Sequence, residues 1–331
     1  VVPAGDQAGR QSMSRDKDWD NAFTGSSLHG TVEGSPSYAG ALSFMRRKYT
    51  QDLAGVDVAV TGIPLDLATT HRPGARFGPR AIRAATPGIS WARPWPWDFN
   101  PFDELAVIDY GDCEFDFGTP ESIVPFIEKH IGRILDAGAA SLVLGGDHFV
   151  TYPVLKAYAA RHGPLSLVQF DAHSDTWSEK TKRLNHGTMF YHAVKEGLID
   201  DSRSVQIGLR TTNDEPMGFN ILDARWVHDN GPASTAERIK EIVGDHEVYL
   251  TFDIDCLDPA YAPGTGTPVC GGLSSIQALE IMRGLPGINL VGMDVVEVAP
   301  AYDVGEVTAL AAATLASEIL CLYCVNKKRQ S

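Results

Sequence analysis

Short apolar runs punctuate the chain from about residue 55 onward, and longer amphipathic segments separate them. The runs are VDVAVTGI (56–63), LAVID (105–109), SLVLGG (141–146), LSLVQF (165–170), SVQIGL (204–209), VYLTFDI (248–254) and INLVGMDVVEV (288–298). They are rich in Val, Ile and Leu and alternate only weakly, as strands covered on both faces do. Helix-start signals lie between them. Thr119-Pro120 offers an N-cap followed by proline, and STAE (234–237) and SSIQ (274–277) have the capping-box pattern. Gly163 and Gly284 stand where helices should end. Strands alternating with helices predict an α/β fold, with a mostly parallel sheet and helices on both sides. No repeat or flexible linker interrupts residues 55–331. A single domain over 46–331 is therefore expected, preceded by a polar, Gly- and Ser-rich arm over 1–45.

Composition narrows the function classes. The formal net charge of -14 argues against a nucleic-acid partner and mildly favours a cationic small molecule. No apolar stretch approaches the roughly 20 residues that span a membrane, and the N-terminus lacks the pattern of a signal peptide. Five cysteines (113, 256, 270, 321 and 324) are an odd number, which suits a reducing cytoplasm better than a disulfide framework. Cys321 and Cys324 form a CxxC pair within an apolar segment, with no second Cys/His pair to complete a zinc site; they read as buried hydrophobes. The Trp-rich stretch WARPWPWDF (91–99) reads as a loop packing on the body, a subunit contact or a pocket wall.

Three apolar runs end in potential metal ligands. SLVLGGDH ends in His148, LSLVQFDAHSD in Asp171, His173 and Asp175, and VYLTFDIDCLD in Asp253 and Asp255. Ligands bind beyond the carboxyl ends of strands in open parallel sheets. Spacing of two puts Asp171 with His173, and Asp253 with Asp255, on common strand faces. Four carboxylates in one pocket repel unless compensated, and two divalent cations cancel their formal charge. Two imidazoles and four carboxylates form an oxygen-rich set that favours manganese over zinc. Asp147 and Asp258 read instead as caps or turn formers.

The motifs GGDH (145–148), DAHSD (171–175) and DIDCLDP (253–259) resemble the metal-binding signatures of the ureohydrolase family, which includes arginase and agmatinase. The likeness continues, in order, through RPGARFGPRAIR (72–83), NHGTMFY (185–191), PGTGTP (263–268), GGL (271–273) and GMDVVEVAPAYD (292–303), and is strongest toward the bacterial agmatinases. The resemblance implies a three-layer α/β/α arginase-like fold. It also implies two Mn2+ ions, one on His148, Asp171, Asp175 and Asp253, the other on Asp171, His173, Asp253 and Asp255. Asp171 and Asp253 would bridge. His186 falls at the family's mobile acid/base histidine, and Glu297 at the carboxylate that grips the substrate guanidinium. A homo-oligomer, trimeric or hexameric, is implied as well.

The chemistry suits these assignments. A guanidinium is planar, delocalised and always charged, so its carbon is a poor electrophile. Hydroxide bridging two cations supplies a strong nucleophile near neutral pH. Asp175 would aim it, Glu297 would fix the guanidinium, and His186 would protonate the leaving amine. The expected reaction releases urea and an amine, putrescine if the substrate is agmatine. Trp177 stands where arginases carry Asn, which favours agmatine over arginine. Lys180, Lys182 and Arg183 in the same loop leave room for a guanidino acid such as 4-guanidinobutyrate or 3-guanidinopropionate. A single-zinc deacetylase of related fold would lack the full six-ligand set, and an inactive binding protein would have lost ligands or Glu297.

Overall fold

The computed structural model describes residues 21–25, 27–30, 36–90, 93–178, 183–213 and 217–330. Among these residues the runs become β1 (Val58–Ile63), β2 (Val107–Asp112), β3 (Ala140–Gly145), β4 (Ser166–Phe170), β5 (Val205–Ile207), β7 (Glu247–Asp253) and β8 (Asn289–Val296). The pattern missed β6 (Asn220–Leu222), three residues of which only Leu222 is buried, too short and too wet to stand out. The sheet order is β2-β1-β3-β8-β7-β4-β5-β6, and every strand pair is parallel.

Alternate strand residues feed two separate cores, one on each face. Val168, Phe170, Leu250 and Phe252 pack against the helices Ala224–Val243, Ser275–Arg283 and Val307–Gln330. Leu167 and Tyr249 face the other way, toward Ile123–Asp136, Thr151–His162 and Met189–Lys195. Burial on both faces is why the strands read as continuous apolar runs.

Several local expectations change. The SSIQ capping box is present, with Ser274 and Gln277 bonding each other's backbone reciprocally. The STAE pattern does not start a helix. Asp223 caps Ala224–Val243 by accepting the Trp226 N–H at 2.7 Å, and the helix breaks at Gly231 (φ 79°) and resumes at Pro232. Thr119 does stand at the N-cap position, before Pro120 in a 3-10 turn that runs into Ile123–Asp136, but its side chain makes no cap bond; its hydroxyl pairs with Ser122 at 3.0 Å. The segment Val307–Arg329 is, contrary to the sequence reading, long and apolar enough to span a bilayer. It is a core helix, with Ala312, Ala313, Ala316, Ile319 and Leu320 buried. Burial there pushes the Cys324 thiol up to about 11, so this CxxC pair is packing, not chemistry.

Most of the arm, residues 1–20, lies outside the described residues, as does Trp91. The described part returns to the body, where Ala22 is buried and its carbonyl accepts the Tyr49 N–H at 2.7 Å. The Trp-rich loop also packs on the body: Trp97 Nε1 donates to Glu318 Oε2 at 2.6 Å, and Arg283 donates to the Trp95 carbonyl at 3.0 Å.

Candidate active site

Four adjacent strands, β3, β8, β7 and β4, deliver the chemistry at their carboxyl ends. After β3 the chain turns at Gly145-Gly146. A Cβ on Gly146 would lie 1.9 Å from the Leu65 carbonyl oxygen, so only glycine lets the chain pass so close beneath the loop that follows β1. That approach places His148 beside the ends of β4 and β7.

Neither two-residue spacing works through a strand face. β4 ends at Phe170 and β7 at Asp253. Asp171 Oδ1 accepts the His173 N–H at 2.6 Å, and Asp253 Oδ1 accepts the Asp255 N–H at 2.8 Å. Each motif is a turn in which the first aspartate bonds the backbone two residues on. In Asp253 the other carboxylate oxygen faces the site; in Asp171 both do, because the turn-holding Oδ1 also lies 3.4 Å from His173 Nδ1.

The six predicted ligands come together. His148 Nδ1 lies 3.0 Å from Asp171 Oδ2, 3.0 Å from Asp175 Oδ2 and 3.3 Å from Asp253 Oδ2. His173 Nδ1 lies 3.1 Å from Asp255 Oδ2 and 3.4 Å from Asp171 Oδ1. Two groups have donor atoms close enough to share an ion: His148, Asp171 and Asp253, and Asp171, His173 and Asp255. Asp171 belongs to both.

The electrostatics show the same strain. Burial, then Asp255 and Asp171, push Asp253 well above the usual carboxylate range. Burial and Asp171 push Asp175 up to about 7. Burial opposes charge on His173, but Asp255 and Asp171 outweigh it and raise the ring to about 12. In protein alone, these groups need shared protons to coexist. Divalent cations remove that need, and His148 Nδ1 tests the fit. It is buried and surrounded by carboxylate oxygens, yet hydrogen-bonds none of them. Its Nε2 bonds Thr251 Oγ1 at 2.8 Å, and Thr251 Oγ1 bonds Asp294 at 2.5 Å. This chain leaves Nδ1 for a metal. The residues present fit a two-cation site.

Beside the ligands lies a cavity of about 260 Å³, whose walls include Thr70, His173, Asp175, Trp177, His186 and Thr267. Trp177 therefore forms part of the wall of this cavity. Arg183 is exposed and is not among the cavity residues, and Lys180 and Lys182 lie outside the described residues. His186 Nδ1 is 2.9 Å from Glu297 Oε1, which also accepts the His148 N–H at 2.8 Å. Glu297 Oε2 is buried without a hydrogen-bond partner. Burial opposes charge on His186, but the bond to Glu297 and its charge prevail and push the ring up to about 9. Asp175 (φ 52°) and Glu297 (φ 65°) both hold left-handed backbone that non-glycine residues adopt only at a cost.

Asp258 forms a turn as expected, accepting the N–H groups of Ala260, Gly271 and Gly272. Asp147 does not cap with its side chain. Its buried carboxylate reaches across to accept the Ala68 N–H at 2.8 Å. The sequence reading missed Thr251, Asp294 and Thr70. Thr251 had a usable signal, since it lies two residues before Asp253 on the same face of β7. Thr70 and Asp294 had none of that local kind.

A family model described as the arginase family matches residues 56–322, and the chain belongs to that family. Within it, the protein is a ureohydrolase of the agmatinase type. It is 59% identical to an agmatinase of Chromobacterium violaceum over 93% of this chain and 96% of that one. An agmatinase of Edwardsiella ictaluri is 52% identical over 82% of this chain and 89% of its own length. A crystal structure of a hypothetical agmatinase from Burkholderia thailandensis superposes with a TM-score of 0.91 at 59% identity, covering 94% of this chain and 99% of that one. Proclavaminate amidino hydrolase from Streptomyces clavuligerus is more distant, with a TM-score of 0.83 at 39% identity over 88% of this chain and all of that one, 100%.

Proposed function

We propose that the protein hydrolyses agmatine to urea and putrescine with two Mn2+ ions. The observation that carries this reading is Asp171, whose two oxygens serve two ligand groups. His148, Asp171, Asp175 and Asp253 would hold one ion, and Asp171, His173, Asp253 and Asp255 the other. Bound there, two divalent cations neutralise the four carboxylates and lower the pKa of nearby water, which makes a nucleophile available near neutral pH.

The remaining work belongs to side chains. Glu297 offers its unpartnered Oε2 to the guanidinium N–H groups and fixes the carbon. Asp175 accepts a hydrogen bond from the attacking water and orients it. His186, held through Nδ1 by Glu297, takes up a proton at Nε2 and passes it to the departing amine. Trp177 offers an apolar wall to a polymethylene chain, and the names of the relatives support agmatine as the compound that carries it.

The test is urea release by manganese-loaded protein supplied with agmatine, 4-guanidinobutyrate, 3-guanidinopropionate or arginine. Agmatine should give the highest kcat/KM. A preference for either guanidino acid would overturn the substrate assignment and leave the ligand assignment standing.

A further inference from the structure

The loop after β1 touches the site in a way that the metal ligands do not require. Thr70 Oγ1 lies 2.7 Å from His186 Nε2, and the Thr70 backbone N–H donates to the same nitrogen at 2.9 Å. A backbone N–H can only donate, so Nε2 must present its lone pair. The ring proton is then on Nδ1, pointing at Glu297 Oε1 at 2.9 Å. Geometry alone thus selects one neutral tautomer. The contact also opposes Glu297: a second proton on Nε2 would confront an N–H that cannot turn away.

The loop is itself held from below. Asp147 is fully buried and accepts the Ala68 N–H at 2.8 Å, and the Ala68 carbonyl accepts the His186 N–H at 3.4 Å. His186 is therefore gripped at its backbone and at both ring nitrogens, by a loop 116 residues away in sequence and by the end of β8.

We propose that Thr70 is a positioning residue for His186. Its hydroxyl and amide set the tautomer and resting orientation of the ring, and so the turnover of an enzyme in which that ring acts as acid/base. The inference rests on the proposed role of His186. Thr70 is exposed at the cavity rim, so replacing it leaves the core intact.

The test compares Thr70→Val, Thr70→Ser and His186→Asn, singly and as the Thr70→Val/His186→Asn pair, in manganese-loaded protein. Thr70→Val should lower kcat by roughly 5–10-fold, the weight of one hydrogen bond, with a smaller change in KM. Thr70→Ser, which keeps the hydroxyl, should return kcat to within about twofold. In the His186→Asn background, Thr70→Val should add no further loss. Metal content should equal that of the wild type throughout. Unchanged kcat in Thr70→Val would overturn the proposal, as would an undiminished loss in the His186→Asn background or a fall in bound metal. Full turnover in His186→Asn would instead remove the acid/base role and this proposal with it.

Discussion

His148 and Asp255 are held in opposite ways. His148 has one nitrogen secured by Thr251 and the other surrounded by carboxylates that it does not hydrogen-bond. Asp255 accepts a hydrogen bond from Thr267 at 3.2 Å and faces His173 at 3.1 Å, so it serves only the second ligand group. Asp255→Ala should therefore lose one of two metals and nearly all turnover. The loss should exceed the ~10–100-fold typical of an outer-shell partner. Metal analysis beside urea release checks this, and a fully active variant would refute the two-cation model. The candidate ligands stood out in the sequence because D-x-H-x-D and D-x-D each follow an apolar run, although they form turns rather than the strand faces expected, and His148 stood out only beside them. Thr70 and Asp147 did not, because their partners lie 116 and 79 residues away. A threonine or aspartate carries no mark of a contact that distant.

At the scale of elements, the site depends on how closely backbones approach. Gly145-Gly146 lets the chain after β3 pass under the loop that follows β1, with Gly146 N–H bonding the Ile63 carbonyl at 2.9 Å and Asp147 N–H bonding that of Leu65 at 2.7 Å. Gly146→Ala would drive a methyl group into backbone, which cannot move aside as a side chain can. The expected cost is about 1–3 kcal/mol of stability, together with weaker metal binding through displaced His148. Thermal melting and metal titration of the same variant measure both. Wild-type values for both would show that the loop simply shifts. The strands were legible because double-sided burial demands continuous apolar runs. The helix around STAE was misread because its start is fixed by Asp223 and its break by Gly231, and local pattern alone did not rank these signals.

For the whole molecule, protons and cations compete for one buried cluster. Asp175, raised by burial and Asp171 to about 7, and Asp253, raised by burial and its neighbours, favour the protonated form when folded. Their contribution to the stability of the metal-free protein is complete below the ordinary carboxylate pKa and is lost as pH rises through about 7. His173, raised to about 12, holds its proton across this range. Metal must displace these protons, so its binding strengthens as pH rises. Added Mn2+ should consequently raise Tm more at about pH 8 than at about pH 6. Differential scanning calorimetry of stripped and reloaded protein measures the difference, and an equal shift at both values would contradict a proton-linked site.

Burial periodicity, turn chemistry and motif order are written within short windows, so the α/β class, the candidate ligands and the family resemblance could be read from the chain alone. The tertiary structure decided which oxygen of each aspartate faces the site, how Asp171 serves two groups, and why His186 must carry its proton on Nδ1. Those outcomes depend on distances between segments brought together only when the sheet aligns β3, β8, β7 and β4. Hydrogen-bond direction, unlike residue type, exists only once the chain has closed around it.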